Sequence, residues 1–249
     1  MANRSQIRWI EETDSTQDEL ARHISDYDNM SVVAARYQTS GRGQRGNEWL
    51  SGRGENLTFS MLLRFGEGQV PAVRAVEQFK VTRAATLGVA AYLQSSGLDC
   101  TVKWPNDIYI RNKKICGMLI ENTLSGDEIA FSIIGIGLNV NQGFFPTQLT
   151  NPTSMYLVSG KKYRLEDELI KLHSCLVDSF NNNLSFESSI PRFEDLLYRR
   201  GEFHEYVRCS DGSSFDAKII GTTPAGLLIL ENRKGGLEEF AFKEISFVI

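Results

Sequence analysis

Hydrophobic positions along the chain follow two different rhythms, and the switch between them lays out its elements. In "RLEDELIKLHSCLVDSF" (164–180), Leu165, Leu169, Leu172, Leu176 and Phe180 recur at helical spacing, which predicts an amphipathic helix with one buried stripe. His173 lies beside that stripe and is given no role. Pro71–Ser96 predicts a second long helix, with Val73, Val76, Phe79, Leu87 and Leu93 broadly on one face and Gly97 as its stop. Two shorter helices are expected. One opens at "DSTQDELARHIS", where Thr16 as N-cap and Glu19 three residues later form a capping box. The other runs from Pro191 through "PRFEDLLYRR".

Between these segments the spacing changes to that of strands. "SVVAARYQ", "ENLTFSMLLRF", "CTVKW", "IYIRN" and "KICGMLIEN" are each rich in β-branched or aromatic residues, with Arg111–Lys113 as a polar hairpin turn. "EIAFSIIGIGLNVN" has an uninterrupted apolar middle, which implies burial on both faces. A loop rich in Asn, Pro and Thr follows to about residue 160. From Glu205 onward short strands alternate with Asp-Gly, Pro-Ala-Gly and Lys-Gly-Gly turns, without a helical period. That end reads as a small all-β barrel, joined through Arg199–Glu202, and a unit so small needs a larger neighbour to pack on.

The composition of the 249 residues, 41% hydrophobic and 23% charged, is that of an ordinary globular protein. No apolar run reaches the length of a membrane span. "MANRSQIRWIEETD" lacks the apolar stretch of a secretory signal, so a cytoplasmic location is expected. Cys100, Cys116, Cys175 and Cys209 never form a CxxC pair, and His23, His173 and His204 are scattered, so the cysteines are expected as reduced, mostly buried thiols rather than zinc ligands. A net charge of −4 argues against a general nucleic-acid footprint. Any anion site must be local.

One stretch is locally cationic: "TSGRGQRGNEW", residues 39–49. Gly41–Gly46 has the spacing of a phosphate-binding P-loop, but Asn47-Glu48 stands where Lys and Ser or Thr are required, and a strand follows instead of a helix. "GIGLNV" lacks the third glycine of a dinucleotide fingerprint. What remains is an ordered loop in which glycines let backbone N–H groups approach an anion while Arg42 and Arg45 add bidentate charge. Taken alone, an anion site and a solvated turn both stay open. "KWPNDIY" adds Asn106 and Asp107 on a turn set by Pro105, which by itself is no more than a well-made turn. Lys114 with Gly117, and Gly137 with Asn139, place further small and polar residues near strand ends. Together these residues form the set that a nucleotide-using site needs.

The ordered blocks "DSTQ", "QTSGRGQRGNEW", "KWPNDIYI", "KKICGMLIE" and "GIGLNVN", closed by the small β-barrel, resemble the biotin protein ligases over essentially the whole chain. That resemblance implies an α+β fold: a mixed sheet with flanking helices over residues 1–200, which bind biotin and ATP, and an SH3-like barrel over 201–249. It implies ATP and Mg2+ as cofactors and the attachment of biotin to a lysine of a biotin carboxyl carrier domain. Ser15, Thr16, Gln17, Gln38, Gly41, Arg42, Gly43, Gln44, Lys114, Gly117 and Gly137 are then the expected biotin contacts. Arg42, Arg45, Trp49, Asn106, Lys114 and Asn139 are the expected ATP contacts, and Arg42, Arg45, Lys114 and Asp107 the catalytic set. No dedicated metal ligands are expected; Mg2+ arrives with ATP, and Asp107 is its one candidate contact.

Two departures stand out. Some members carry an N-terminal DNA-binding helix-turn-helix, whereas here "IRWIEETDST" leads directly into the catalytic blocks, so neither DNA nor membrane binding is expected; a homodimer is compatible with the sequence. Gln44 stands where well-known members have arginine. The rival readings are a lipoate or octanoate ligase or transferase of the same fold, and a non-catalytic module whose barrel docks a partner.

Overall fold

A computed structural model describes residues 6–68, 70–184 and 189–249; the side chain of Arg45 lies outside the described set. The helices are α1 (Thr16–Arg22), α2 (Phe79–Ser95), α3 (Met155–Ser159), α4 (Leu165–Asn183) and α5 (Ser189–Asp195). The first seven strands are β1 (Ile7–Ile10), β2 (Val32–Ala35), β3 (Leu57–Arg64), β4 (Thr101–Lys103), β5 (Asp107–Ile110), β6 (Lys113–Ser125) and β7 (Glu128–Leu138). The C-terminal strands are β8 (Phe203–Arg208), β9 (Ser214–Thr222), β10 (Leu228–Asn232), β11 (Leu237–Phe240) and β12 (Ile245–Phe247).

The first seven strands pair in the order β1-β2-β3-β7-β6-β5-β4. Only β1 and β2 run parallel, which makes the sheet mixed. Side chains alternate between its faces. Phe59, Met61, Ile134 and Ile136 point to one face and share a core with Val81 and Ala85 of α2 and Leu172, Leu176 and Phe180 of α4. The two helices come close because Gly88 has no side chain; a Cβ there would lie 3.0 Å from Leu176 Cδ2 and 3.1 Å from its Cα. Leu62 and Ile133, paired across β3 and β7, point the other way and hold Leu20 of α1. Beyond Ile133 that second face carries small residues, and there the site lies.

The last five strands form an antiparallel sheet in the order β11-β10-β9-β8-β12, matching the expected C-terminal SH3-like unit. Its Tyr206, Ile219, Leu230 and Phe240 belong to the same continuous core as the large sheet. The connection is itself paired: Val102 N–H donates to the Leu196 carbonyl (2.7 Å), and Tyr198 N–H to that of Val102 (2.8 Å). No described helix is long and apolar enough to cross a membrane. All four cysteines are free, with Cys100 and Cys116 buried, Cys175 half-buried and Cys209 exposed.

Several boundaries differ from the pattern-based expectation, each because backbone groups find another partner. The N-cap of α1 is Ser15, whose hydroxyl accepts the Gln17 N–H, and Thr16 is the first helical residue. Residues 73–75 do not join α2. Ile129 N–H donates to the Val73 carbonyl and Ala75 N–H to that of Asp127, so this segment is tied to the start of β7 and Val76 is left exposed. The last helix ends at Asp195 because Leu196–Tyr198 runs beside β4 instead. Strand β1 and helix α3 had no strong periodic signal, being 4 and 5 residues long.

His173 on α4 is fully buried. Its Nε2–H donates to the Met30 carbonyl at 2.8 Å, and Nδ1 has no partner. Burial lowers its pKa below 6.5, against the opposing hydrogen bond to Met30. The unfolded chain therefore takes up a proton near pH 6.5 that the folded chain refuses, and stability is lost as pH falls below about 6.5, by up to about 1.4 kcal/mol per pH unit. Urea unfolding between pH 7 and 5.5 is expected to show this slope, and His173→Gln to remove part of it; an identical slope in the variant would contradict the assignment.

Candidate active site

The floor of the site is made where β3, β7 and β6 lie side by side. Gly137 pairs with Gly117 on one side and Thr58 on the other, and Gly135 pairs with Leu119 and Ser60. Gly135 and Gly137 are two residues apart on one strand and so share a face. A Cβ on Gly135 would lie 2.6 Å from Gln17 Oε1, one on Gly117 would lie 3.1 Å from Trp49 Cζ3, and one on Gly137 would overlap the Trp49 ring. The absent side chains leave a cavity of about 240 Å³ on this face of the sheet.

One end of the cavity is a buried polar network at the start of α1. Thr16 N–H and its hydroxyl both donate to Gln38 Oε1 (2.8 and 3.1 Å), and the Thr16 hydroxyl also meets Ser60 Oγ at 2.9 Å. Ser60 donates to Gln17 Oε1, while Gln17 Nε2 donates to the Ile133 carbonyl and to Glu121. Thr16 therefore does not cap the helix but turns its hydroxyl into the site. A polar ligand here meets donors and acceptors already held in place.

The cationic loop forms the roof. Trp49 N–H donates to the Gly41 carbonyl (2.8 Å) and Gly43 N–H to that of Asn47 (2.7 Å), which folds the loop around a tight turn at Gln44–Gly46. A Cβ on Gly41 would sit 2.5 Å from the Trp49 carbonyl oxygen, so this position has to be glycine. Gly43 and Gln44 line the cavity, as does Arg42, which bonds to Asp18 at 2.6 Å and Glu121 at 2.5 Å. Trp49 lays its indole on the glycine floor, with a buried Nε1 that has no partner. Gly41 lines the adjoining groove together with Gln38 and Trp49.

The β4–β5 hairpin supplies the other end. Asn106 Nδ2 donates to the Met118 carbonyl (2.5 Å), and Asp107 pairs with Lys114 at 2.8 Å. Lys114 Nζ lies 5.8 Å from the Trp49 ring centroid, a cation–π contact. Trp104 reaches the C-terminal sheet: its indole N–H donates to the Gly226 carbonyl at 2.9 Å and its ring packs edge-on against Phe242, a further cavity-lining residue. Among the described residues no three His, Cys, Asp or Glu side chains come together as a metal site.

Of the residues expected from sequence, all those on the DSTQ, Gly/Arg-loop, KWPND, Lys114, Gly117 and Gly137 positions converge here, apart from the Arg45 side chain, which lies outside the described set. Asn139 stands outside the lining; its Nδ2 holds the Thr153 carbonyl at 2.9 Å. Sequence reasoning overlooked Ser60, Gly135, Lys103 and Phe242. Gly135 was readable, since it precedes Gly137 by two on a strand, and Lys103 opens the KWPND block. Ser60 and Phe242 carry no local signal, because register and domain packing bring them in.

A profile of the Biotin/lipoate A/B protein ligase family matches residues 9–139. The chain is 30% identical over 228 residues to the biotin–[acetyl-CoA-carboxylase] ligase of Paracoccus denitrificans, covering 90% of this chain and 93% of that protein. It is 28% identical over 230 residues to the bifunctional ligase/repressor BirA of Bacillus spizizenii, covering 91% of this chain and 68% of BirA. Among solved structures, the biotin protein ligase from Aquifex aeolicus in complex with biotin and ATP superposes with a TM-score of 0.77 at 26% identity, covering 97% of this chain and 98% of that one. The glycine-floored cavity thus sits in a chain that belongs to the biotin/lipoate A/B protein ligase family, within its biotin protein ligases.

Proposed function

We propose that the protein activates biotin with ATP as biotinyl-5'-AMP and transfers it to a lysine of a biotin carboxyl carrier domain. The observation behind this reading is the single cavity in which a side-chain-free floor, a buried polar end and a cationic end face one another. A flat ring system fits against Gly117 and Gly137, and the network of Ser15, Thr16, Gln17 and Gln38 suits its polar edge. The reaction needs the rest. A carboxylate is a poor electrophile, so its oxygen first bonds to the α-phosphorus of ATP while the bond to pyrophosphate breaks. The acceptor amine then bonds to the acyl carbon, and AMP leaves.

Two anions must meet in the first step, and preorganised cations lower that barrier. Arg42, Arg45 and Lys114 take this role. Asn106 and Asn139 are assigned to the nucleotide side, Asn139 by fixing the 151–155 segment beside Lys114, whose N–H donates to the Asn151 carbonyl. Trp49 has to leave the glycine floor for a ring to enter, and is assigned to the adenine. Asp107 is left to orient the acceptor lysine once phosphate draws Lys114 away. Asp18 and Glu121 are committed to Arg42 and Asp107 to Lys114, and Mg2+ is taken to arrive bound to ATP. We assign residues 1–200 to catalysis and 201–249 to the barrel, and the four free thiols support a reducing compartment such as the cytoplasm.

ATP–pyrophosphate exchange tests the reading: it is expected with biotin as the sole acid, whereas exchange with only lipoate or octanoate would move the protein to the neighbouring chemistry. Lys114→Met should lower biotin-dependent exchange by roughly 10²–10³, and near-normal turnover would remove Lys114 from the mechanism. Gly137→Val should fill the floor and weaken biotin binding by at least about 1.4 kcal/mol, a tenfold change in Kd by calorimetry. Unchanged affinity would place the ring elsewhere.

A further inference from the structure

The strand that carries Gly117 sends one more side chain toward the site. Residues 117, 119 and 121 of β6 share a face, and across the ladder they meet Gly137, Gly135 and Ile133 of β7. Glu121 therefore follows Gly117 and Leu119 along the floor and stands just outside the cavity lining. Its carboxylate divides between two residues that do line the cavity. Oε2 accepts from Gln17 Nε2 at 3.0 Å, and Oε1 accepts from the Arg42 guanidinium at 2.5 Å. Gln17 is buried, and its Nε2 also donates to the Ile133 carbonyl at 2.9 Å. Reversing this carboxamide would turn its oxygen against a carbonyl and a carboxylate, both acceptors, so its orientation is forced.

Fixing Gln17 fixes the rest of the polar end. Its Oε1, turned toward Gly135, accepts the Ser60 hydroxyl at 3.1 Å. With the Ser60 hydrogen spent there, Ser60 Oγ is the acceptor in its 2.9 Å contact with Thr16. The Thr16 hydroxyl then shares its hydrogen between Ser60 and Gln38 Oε1, which also takes the Thr16 N–H. Gln38 thus turns its oxygen to Thr16 and keeps its amide nitrogen as a donor. We infer that Glu121 is a positioning residue for biotin, whose carboxylate sets the donor and acceptor directions along Gln17, Ser60, Thr16 and Gln38 so that the polar edge of the ring meets one arrangement. This rests on the biotin reading above. A carboxamide at position 121 has one oxygen for two donors, and its own NH2 would face whichever donor it does not serve. Asp18 offers the natural control, because it bonds Arg42 at 2.6 Å without touching the Gln17 carboxamide.

The test uses the full chain, with biotin affinity by calorimetry and the kinetics of biotin-dependent ATP–pyrophosphate exchange as readouts. Glu121→Gln is expected to weaken biotin binding about tenfold and to raise the biotin KM alike, with kcat and the KM for ATP within about threefold of the parent. Asp18→Asn loosens Arg42 alone and is expected not to weaken biotin binding. If Glu121 acts through Gln17, the two are coupled, so in a Gln17→Ala background Glu121→Gln should cost less than about twofold further. Should Glu121→Gln fail to fold by circular dichroism, Glu121→Asp in both backgrounds decides by the same criteria. Biotin affinity in folded Glu121→Gln within about twofold of the parent would overturn the inference. So would an equal loss with and without Gln17, or an equal loss in Asp18→Asn, either of which would mean that Glu121 acts through Arg42. A parent protein that binds no biotin would bring down the biotin reading itself, and the role of Glu121 with it.

Discussion

Removing side chains from the middle of a β-sheet is the constraint on which this site depends. Gly117, Gly135 and Gly137 occupy neighbouring positions on β6 and β7, in the one region where a Cβ at each would meet Lys114 or Trp49, Gln17, or the Trp49 ring. Because the floor is flat, α1 can bring its N-terminal residues against the sheet and the roof loop can lower an indole onto it. The opposite face of the sheet is filled by Phe59 and Met61 of β3 and Ile134 and Ile136 of β7, under α2 and α4. That packed layer holds the glycine strands in register, since a slip of one residue would swap floor for core.

Arg42 and Lys114, two of the cations lining the cavity, are each matched by carboxylates beside it, in a chain of net charge −4. Arg42, Asp18 and Glu121 have side chains 40%, 40% and 43% exposed. Ion pairs of such exposure are worth about 0–1 kcal/mol each, so exchanging carboxylate for phosphate costs little. Lys114 and Asp107 are more enclosed, and an anion that drew Lys114 away would leave the Asp107 carboxylate without its cation. Trp49 follows the same logic for apolar surface. Its ring covers the floor, its Nε1 is left without a partner, and a ligand that displaces it frees both.

Much of this was legible in the sequence, for reasons that differ by element. The stripe from Leu165 to Phe180 became α4 because its periodicity and its burial express the same physics. The Gly/Arg loop and the KWPND turn were readable because close approach and tight turning demand particular residues locally. Elements whose backbone groups are claimed from a distance were not. Val73–Ala75 looks helical but is taken by the start of β7, and Leu196–Tyr198 is taken by β4. Thr16 and Ser15 are equally good caps by composition, and only the position of Gln38 decides between them. Ser60 enters through the β3–β7 register and Phe242 through the docking of the C-terminal sheet, neither of which has a local signature.

The most direct measurement is a crystal structure of the protein with biotin bound. The expected result is a ring system lying on Gly117 and Gly137, with the Trp49 indole moved off the floor and the biotin carboxylate directed toward Arg42 and Lys114. Biotin found elsewhere, with the indole still covering Gly137 and Arg42 still paired to Glu121, would contradict the glycine floor as the binding surface.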